Sequence, residues 1–204
     1  MNCLIWNVRG LGNPRSQQRL HAYVKQHRVK VLVVLEPMIP LDQRFISRRL
    51  GFRSVTSNIS GHIWVFSSEV VNVECDLDHV QLLHVRVSAP FLPSVLFCSF
   101  VYAKCDYIER RDLWATLLHI KPDVGPWLVG GDFNIVRDAS ECLGTSGGRR
   151  LPMDDFNEFI LASSLVDAGF EGSSFTWTNK TIWKRLDRVF VSTDWCDRFH
   201  SIRV

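Results

Sequence analysis

The sequence has no apolar run approaching the ~20 residues that a membrane-spanning helix requires. Its first residues, Met-Asn-Cys-Leu-Ile-Trp, enter an apolar strand without the basic-then-apolar order of a secretory signal. It has no CxxC pair: Cys3, Cys75, Cys98, Cys105, Cys142 and Cys196 are widely separated, which argues against a zinc site. Several of them lie inside apolar runs, as reduced, buried thiols of an intracellular protein do. Excess charge is nearly absent as well. Lys and Arg number 24 against 21 Asp and Glu, a net +3 that neither demands nor excludes nucleic acid. No internal repeat, linker or low-complexity tract divides the chain, and 46% hydrophobic with 22% charged residues excludes disorder. The 204 residues fit a single domain over 1–204, read as soluble and intracellular with no membrane partner.

What is present is an alternation of apolar runs and amphipathic stretches. Cys3 to Trp6 is a short strand opening into the glycine-rich loop Asn7-Val8-Arg9-Gly10-Leu11-Gly12-Asn13-Pro14. Ser16 is placed to cap a helix carrying Leu20, Tyr23, Val24 and His27 on one face. Val31 to Leu35 is continuously apolar, as in a strand buried on both faces, and ends at Glu36-Pro37. Leu41, Phe45, Ile46 and Leu50 predict a helix over 41–50. Ile63 to Phe66, Val70 to Cys75, Val80 to Val87 and Val95 to Tyr102 read as strands of a meander. A helix over 110–120 follows, with Leu113, Trp114, Leu117 and Leu118 as its stripe. After a strand from Trp127, residues 137–152 read as a polar surface loop, 154–165 as an amphipathic helix, and 185–191 as a strand. A short helical turn near Trp195 closes the order. Strand-helix-strand, then meander, then strand-helix-strand fits two packed sheets with helices outside.

The chain is organised around Trp127-Leu128-Val129-Gly130-Gly131-Asp132-Phe133-Asn134. An apolar run ends in two glycines able to turn the backbone sharply, then presents a carboxylate and a carboxamide two residues apart. Extended alternation points Asp132 and Asn134 one way and Phe133 into the core. A carboxylate that deprotonates water beside an amide that donates to a developing anion suits phosphate-ester chemistry. An Asp/Asn-rich turn without function is the alternative for this octapeptide.

Asn7, Glu36 and Tyr102 share that placement at the C-terminal ends of apolar runs, where α/β folds form their ligand crevices. Taken singly, Asn7 reads as a turn residue, Tyr102 as a strand aromatic, and Thr176 and Trp177 as β-formers. Glu36 ends five apolar residues and is read as a Mg2+ or Mn2+ ligand, with a solvated loop carboxylate as the alternative. Asp187 interrupts a strand, where a carboxylate wants a cationic or histidine partner.

Together, Trp6-Asn7-Val8-Arg9-Gly10, Leu35-Glu36, Val101-Tyr102, Gly131-Asp132-Phe133-Asn134, Phe175-Thr176-Trp177 and Arg185-Leu186-Asp187-Arg188 resemble, in order, the endonuclease/exonuclease/phosphatase superfamily. The phrases Gly-Gly-Asp-Phe-Asn, Thr-Trp-Thr-Asn and Lys-Arg-Leu-Asp-Arg-Val are most similar to the endonuclease domain of plant LINE-type (non-LTR) retrotransposons. The resemblance spans Cys3 to about Phe199. It implies an α/β fold, a four-layer sandwich of two packed mixed sheets flanked by helices, as in deoxyribonuclease. It implies Glu36 as the Mg2+ (or Mn2+) ligand and Asn7 as support for metal and phosphate. Tyr102 would donate to the scissile phosphate. Asp132 would activate the attacking water, and Asn134 would hold a phosphoryl oxygen. Thr176, Trp177 and Arg9 would contact substrate. Asp187 would orient a catalytic histidine. The implied activity is metal-assisted nicking of DNA, in the nucleus, as part of a retroelement protein.

One motif of the family is missing. Its histidine lies in a Ser-Asp-His segment after the Arg-Leu-Asp strand, and no such segment follows Asp187; His200 is preceded by Phe199. The sole Asp-His, Asp78-His79, precedes a meander strand and reads as a solvated turn. The chain is therefore expected to lack its last loop and strand and to be impaired as an enzyme. The alternatives are an inactive remnant that binds Mg2+ and nucleic acid, and a small-molecule phosphoesterase. Arg9, Arg15, Arg149, Arg150, Lys184, Arg185 and Arg188 lie in or near the loops that would rim such a site, although each alone reads better as a solubilising charge.

Overall fold

The computed structural model describes residues 1–42, 48–144 and 150–199, and has an α/β fold with two mixed β-sheets flanked by helices. The chain divides into two compact units, Met1–Tyr102 and Ala103–Val204.

In the first unit, β1 (Cys3–Asn7) runs parallel to β2 (Val31–Leu35), joined by α1 (Pro14–Gln26). The helix is capped by Asn13, whose side chain accepts from the Arg15 N–H at 2.8 Å, and not by Ser16 as predicted. Pro14 explains the shift: its ring presets helical φ at the first position and needs no N–H partner. β3 (Ser54–Ser57) and β4 (Ile63–Ser67) complete a sheet of order β1-β2-β4-β3, with β4 antiparallel to both neighbours. Leu32 pairs with Phe66 and Val34 with Trp64, and these four pack with Leu20 of α1 and with Leu11, Val29, Leu50 and Phe52. Val31, Val33, Leu35, Ile63 and Val65 on the alternate positions are buried too, so β2 and β4 are covered on both faces as their unbroken apolar runs imply. The antiparallel meander β5 (Asn72–Asp78), β6 (Leu82–Ser88) and β7 (Leu96–Tyr102) follows. His79 and Leu82 exchange backbone hydrogen bonds across the β5–β6 connection, so His79 opens the turn, whereas Asp78, expected in it, ends β5 opposite Leu83. Of the predicted helix over 41–50, residues 48–50 are helical, while Phe45 and Ile46 lie outside the described residues.

In the second unit, β8 (Trp127–Asp132) is fully buried and continues straight through Gly130 and Gly131. The expected turn at the glycines is absent because both are paired in the ladder, opposite Val189 and Arg188. β9 (Cys142–Leu143), β10 (Val166–Asp167), β11 (Trp177–Thr178), β12 (Trp183–Lys184) and β13 (Asp187–Val191) follow in the chain. β13 lies antiparallel between β8 and β10, and β9, β12 and β11 form a small separate sheet. α2 (Tyr107–His119) starts three residues before the predicted boundary because Asp106 accepts from the Ile108 and Glu109 N–H groups. α3 (Arg150–Ser163) starts earlier than expected, with Pro152 tolerated in its first turn. Residues 137–152 are therefore not one loop: they contain a 3-10 turn at Ala139–Glu141, β9 and the start of α3. Trp114 of α2 stacks on Phe156 and Phe159 of α3 at 5.0 Å each, and Phe133 lies 5.2 Å from Phe156 and 5.3 Å from Phe190. Phe133 is fully buried, as the alternation predicts. α4 (Thr193–Arg198), capped by Ser192, ends the described chain.

All six cysteines are free; Cys98 is buried, and burial pushes the Cys3 thiol up to about 12 although that residue as a whole is exposed. The expectation of buried thiols thus holds for Cys98 and the Cys3 sulfur but not for Cys75, Cys105 and Cys196, which are exposed, since membership of an apolar run does not settle which face a residue takes. Among the described residues no helix is long and apolar enough to cross a membrane.

Candidate active site

The first unit gathers Asn7, Glu36 and Tyr102. Parallel pairing of β1 and β2 continues past both strands: the N–H groups of Val8, Gly10 and Leu11 donate to the carbonyls of Leu35, Glu36 and Pro37 at 3.0, 2.8 and 2.8 Å. This zipper brings the side chains just beyond the strands together, and the Asn7 Nδ2 donates to Glu36 Oε1 at 2.9 Å. The Asn7 Oδ1 accepts from the Arg9 N–H at 3.2 Å, which turns the chain so that Arg9 is exposed. Pro37 costs nothing here, because its carbonyl and not its nitrogen is used. Glu36 is half-buried at φ +50°, and Arg9 has φ +46°. Left-handed backbone at a non-glycine residue costs about 1 to 3 kcal/mol and concentrates where function holds it in place. The Glu36 N–H donates to the His62 carbonyl at 3.0 Å, and the His62 ring lies 5.3 Å from the ring of Tyr102. Asn7, Glu36, His62 and Tyr102 thus form one connected group. His62 was not singled out in the sequence, where a lone histidine before an apolar run carries no signal.

The second unit gathers Asp132, Asn134 and Asp187. Asp132 and Asp187 are directly opposed across the β8–β13 ladder, so their side chains share a face. Like charges in that register repel unless a cation or hydrogen-bond donor lies between them. Asp132 is buried and its Oδ1 accepts from the Asn134 N–H at 2.9 Å. That bond closes a tight Asx turn with Asn134 at φ +50°, so the two side chains are set by a turn and not by extended alternation. The Asn134 Nδ2 donates to the Ala103 carbonyl at 2.7 Å, which leaves its second N–H for another acceptor. The Thr176 hydroxyl accepts from the Leu186 and Asp187 N–H groups at 3.0 Å each, fixing the start of β13. Trp177 is half-buried and pairs with Lys184 on β12.

Two of the basic residues expected near phosphate are elsewhere. Arg188 is buried between Glu141 and Asp167, and Arg185 pairs with Asp167 at 3.1 Å and covers the Phe170 ring at 4.4 Å. Alternation explains the difference: with Asp187 on one face of β13, Arg188 must point to the other, above Gly131. Arg149 and His200 lie outside the described residues.

Among the described residues no group of three or more His, Cys, Asp or Glu side chains is assembled as a metal cage. Mg2+ does not require one, since it is commonly held by one or two carboxylates with water and substrate phosphate completing its shell. Glu36 fits that role: its Oε1 is oriented by Asn7 and its Oε2 has no hydrogen-bond partner among the described residues.

Carboxylates and amides at the strand ends of an α/β fold with two mixed sheets suit chemistry on phosphate esters. The model of the endonuclease/exonuclease/phosphatase family matches residues 4–203, and the chain belongs to that family. Members of this superfamily generally depend on a divalent metal. Among solved structures, the chain is similar to the endonuclease domain of TRAS1, a telomere-specific non-LTR retrotransposon, with TM-score 0.71 and 14% identity over 96% of this chain and 86% of that one. It is similar to the 3' phosphatase NExo from Neisseria bound to a product DNA hairpin, with TM-score 0.69 and 15% identity over 95% and 87%. It is also similar to the human Nocturnin catalytic domain with bound sulfate, with TM-score 0.60 and 14% identity over 94% and 82%. No curated protein sequence matches the chain.

Proposed function

We infer that the chain is a Mg2+-dependent (or Mn2+-dependent) endonuclease domain that nicks one strand of DNA, as part of a plant LINE-type retroelement protein acting in the nucleus. The observation that carries this reading is where the backbone is strained. Among the described residues, seven non-glycine positions have positive φ, and three of them are the candidate site residues Arg9, Glu36 and Asn134. The Asx turn accounts for Asn134, while the bends at Arg9 and Glu36 flank the bond between Asn7 and Glu36.

Glu36 holds the cation, with Asn7 aligning its carboxylate. A cation held there by Glu36 would supply neutralisation of phosphate charge and stabilisation of the leaving oxygen. Asp132 accepts the proton of the attacking water, and Asn134 donates its remaining amide N–H to a non-bridging phosphate oxygen. Tyr102 donates to a phosphate oxygen, Asp187 lies opposite Asp132 at the start of β13, and Arg9, Thr176 and Trp177 border the DNA. The DNA and retroelement assignments draw support from the Thr-Trp-Thr-Asn and Lys-Arg-Leu-Asp-Arg-Val phrases and from the likeness to the TRAS1 endonuclease domain.

The test is nicking of supercoiled plasmid in Mg2+. The parent chain is expected to convert plasmid to the open circle faster than Asp132→Ala, which loses about 10² to 10⁴ in rate. Equal rates for the two would end the endonuclease reading. Turnover of a soluble phosphate monoester without nicking would favour a small-molecule phosphoesterase.

A further inference from the structure

His62 is the one member of the Asn7–Glu36–His62–Tyr102 group without an expected role. It begins the approach to β4, and its carbonyl takes the Glu36 N–H at 3.0 Å. Its backbone N–H donates to the Ser60 Oγ at 3.4 Å. The ring is half-buried against Tyr102, with centroids 5.3 Å apart and planes inclined by 50°. Neither ring nitrogen has a hydrogen-bond partner among the described residues. By contrast, His84 in the same unit bonds the Ser99 Oγ at 2.7 Å. An imidazole packed on one face and left uncommitted at both nitrogens is placed to bond something the protein does not itself supply.

We propose that His62 is a substrate-contacting residue whose ring N–H donates to a phosphate oxygen of bound DNA. The proposal rests on the phosphodiesterase reading above. It needs no charge on the ring, because a neutral imidazole always carries one N–H donor. Two features support it. The main chain of His62 is bonded to that of Glu36, so the ring is carried at the start of the strand next to the one that ends at the carboxylate assigned to the cation. Its ring also packs on the tyrosine assigned to the phosphate. A planar ring held by an aromatic neighbour donates with little loss of side-chain freedom.

The test uses the full chain and two substitutions. His62→Phe keeps a ring against Tyr102 and removes both nitrogens; His62→Gln loses the ring and restores an N–H. His62→Phe is expected to retain the parent unfolding transition and to lose about a hundredfold in kcat for plasmid nicking. His62→Gln is expected to recover part of that loss. Parent-like kcat in His62→Phe would overturn the proposal, because packing alone would then account for the residue. A second measurement separates this outcome from failure of the endonuclease reading. In 15N-histidine-labelled Asp132→Ala protein with Ca2+, the ring signal absent from the His62→Phe spectrum is followed as a short DNA duplex is added. A shift of that signal supports the contact even if the parent chain nicks nothing, and an unmoved signal at saturating duplex overturns it.

Discussion

At the scale of single residues, buried charge makes the sharpest predictions. Arg188 is fully enclosed and paired to both Glu141 and Asp167. Arg188→Met would remove the enclosed cation that Glu141 and Asp167 share, leaving Arg185 as their nearest remaining cation, and is expected to destabilise the protein by about 3 kcal/mol in urea unfolding. His84 predicts a pH dependence. Burial favours its neutral ring and lowers its pKa from 6.5, against a smaller opposing pull from Asp76. Its neighbours are the Ser99 hydroxyl and the Phe97 ring, stacked at 6.2 Å. The unfolded chain therefore takes up a proton at higher pH than the folded one. The contribution of His84 to stability is complete above the unfolded value and is lost as pH falls through the lowered folded value. Stability measured from about pH 7.5 down to pH 5 should decline, and His84→Gln should flatten the slope. A slope unchanged by that substitution would assign the decline to other groups.

At the scale of elements, most strands and helices were legible because their apolar periodicity is strong, whereas their ends were set by local chemistry that periodicity does not carry. Ser16 looked like a cap, yet Asn13-Pro14 begins α1; Asn13→Ala should cost about 1 kcal/mol while Ser16→Ala costs less, by thermal unfolding. Gly130 and Gly131 suggested a turn, but they lie in β8 opposite Val189 and Arg188. Arg185 and Arg188 could not be assigned from sequence, since the register of a strand decides which side faces inward. The candidate residues Asn7, Glu36, Asp132 and Asn134 were legible as polar groups closing apolar runs, while the bonds that orient them were not. Gly144 sets a further constraint. At φ +88° its missing Cβ would lie 2.1 Å from the Thr181 carbonyl oxygen. Gly144→Ala should therefore disturb the β9–β12–β11 sheet, read as a change in the fluorescence of Trp177 and Trp183.

At the scale of the whole molecule, charge is nearly balanced at +3, so the proposed affinity for DNA would have to come from local cations. With Arg185 and Arg188 committed to internal ion pairs, five of the seven candidate phosphate contacts remain: Arg9, Arg15, Arg149, Arg150 and Lys184. Counterion release from five contacts gives a slope of log K against log salt no steeper than about −4.5. A steeper slope would require cations outside this set. The bend at Glu36 has a last implication. Glycine would sit at φ +50° with less resistance, so a chain selected for folding alone has little reason to place a glutamate there. Glu36→Gly should stay within about 1 kcal/mol of the parent in stability, relief of the bend offsetting the lost bond to Asn7, while its plasmid nicking disappears. Stability kept while nicking is lost would mean that the needs of folding and of the proposed chemistry come apart at this position.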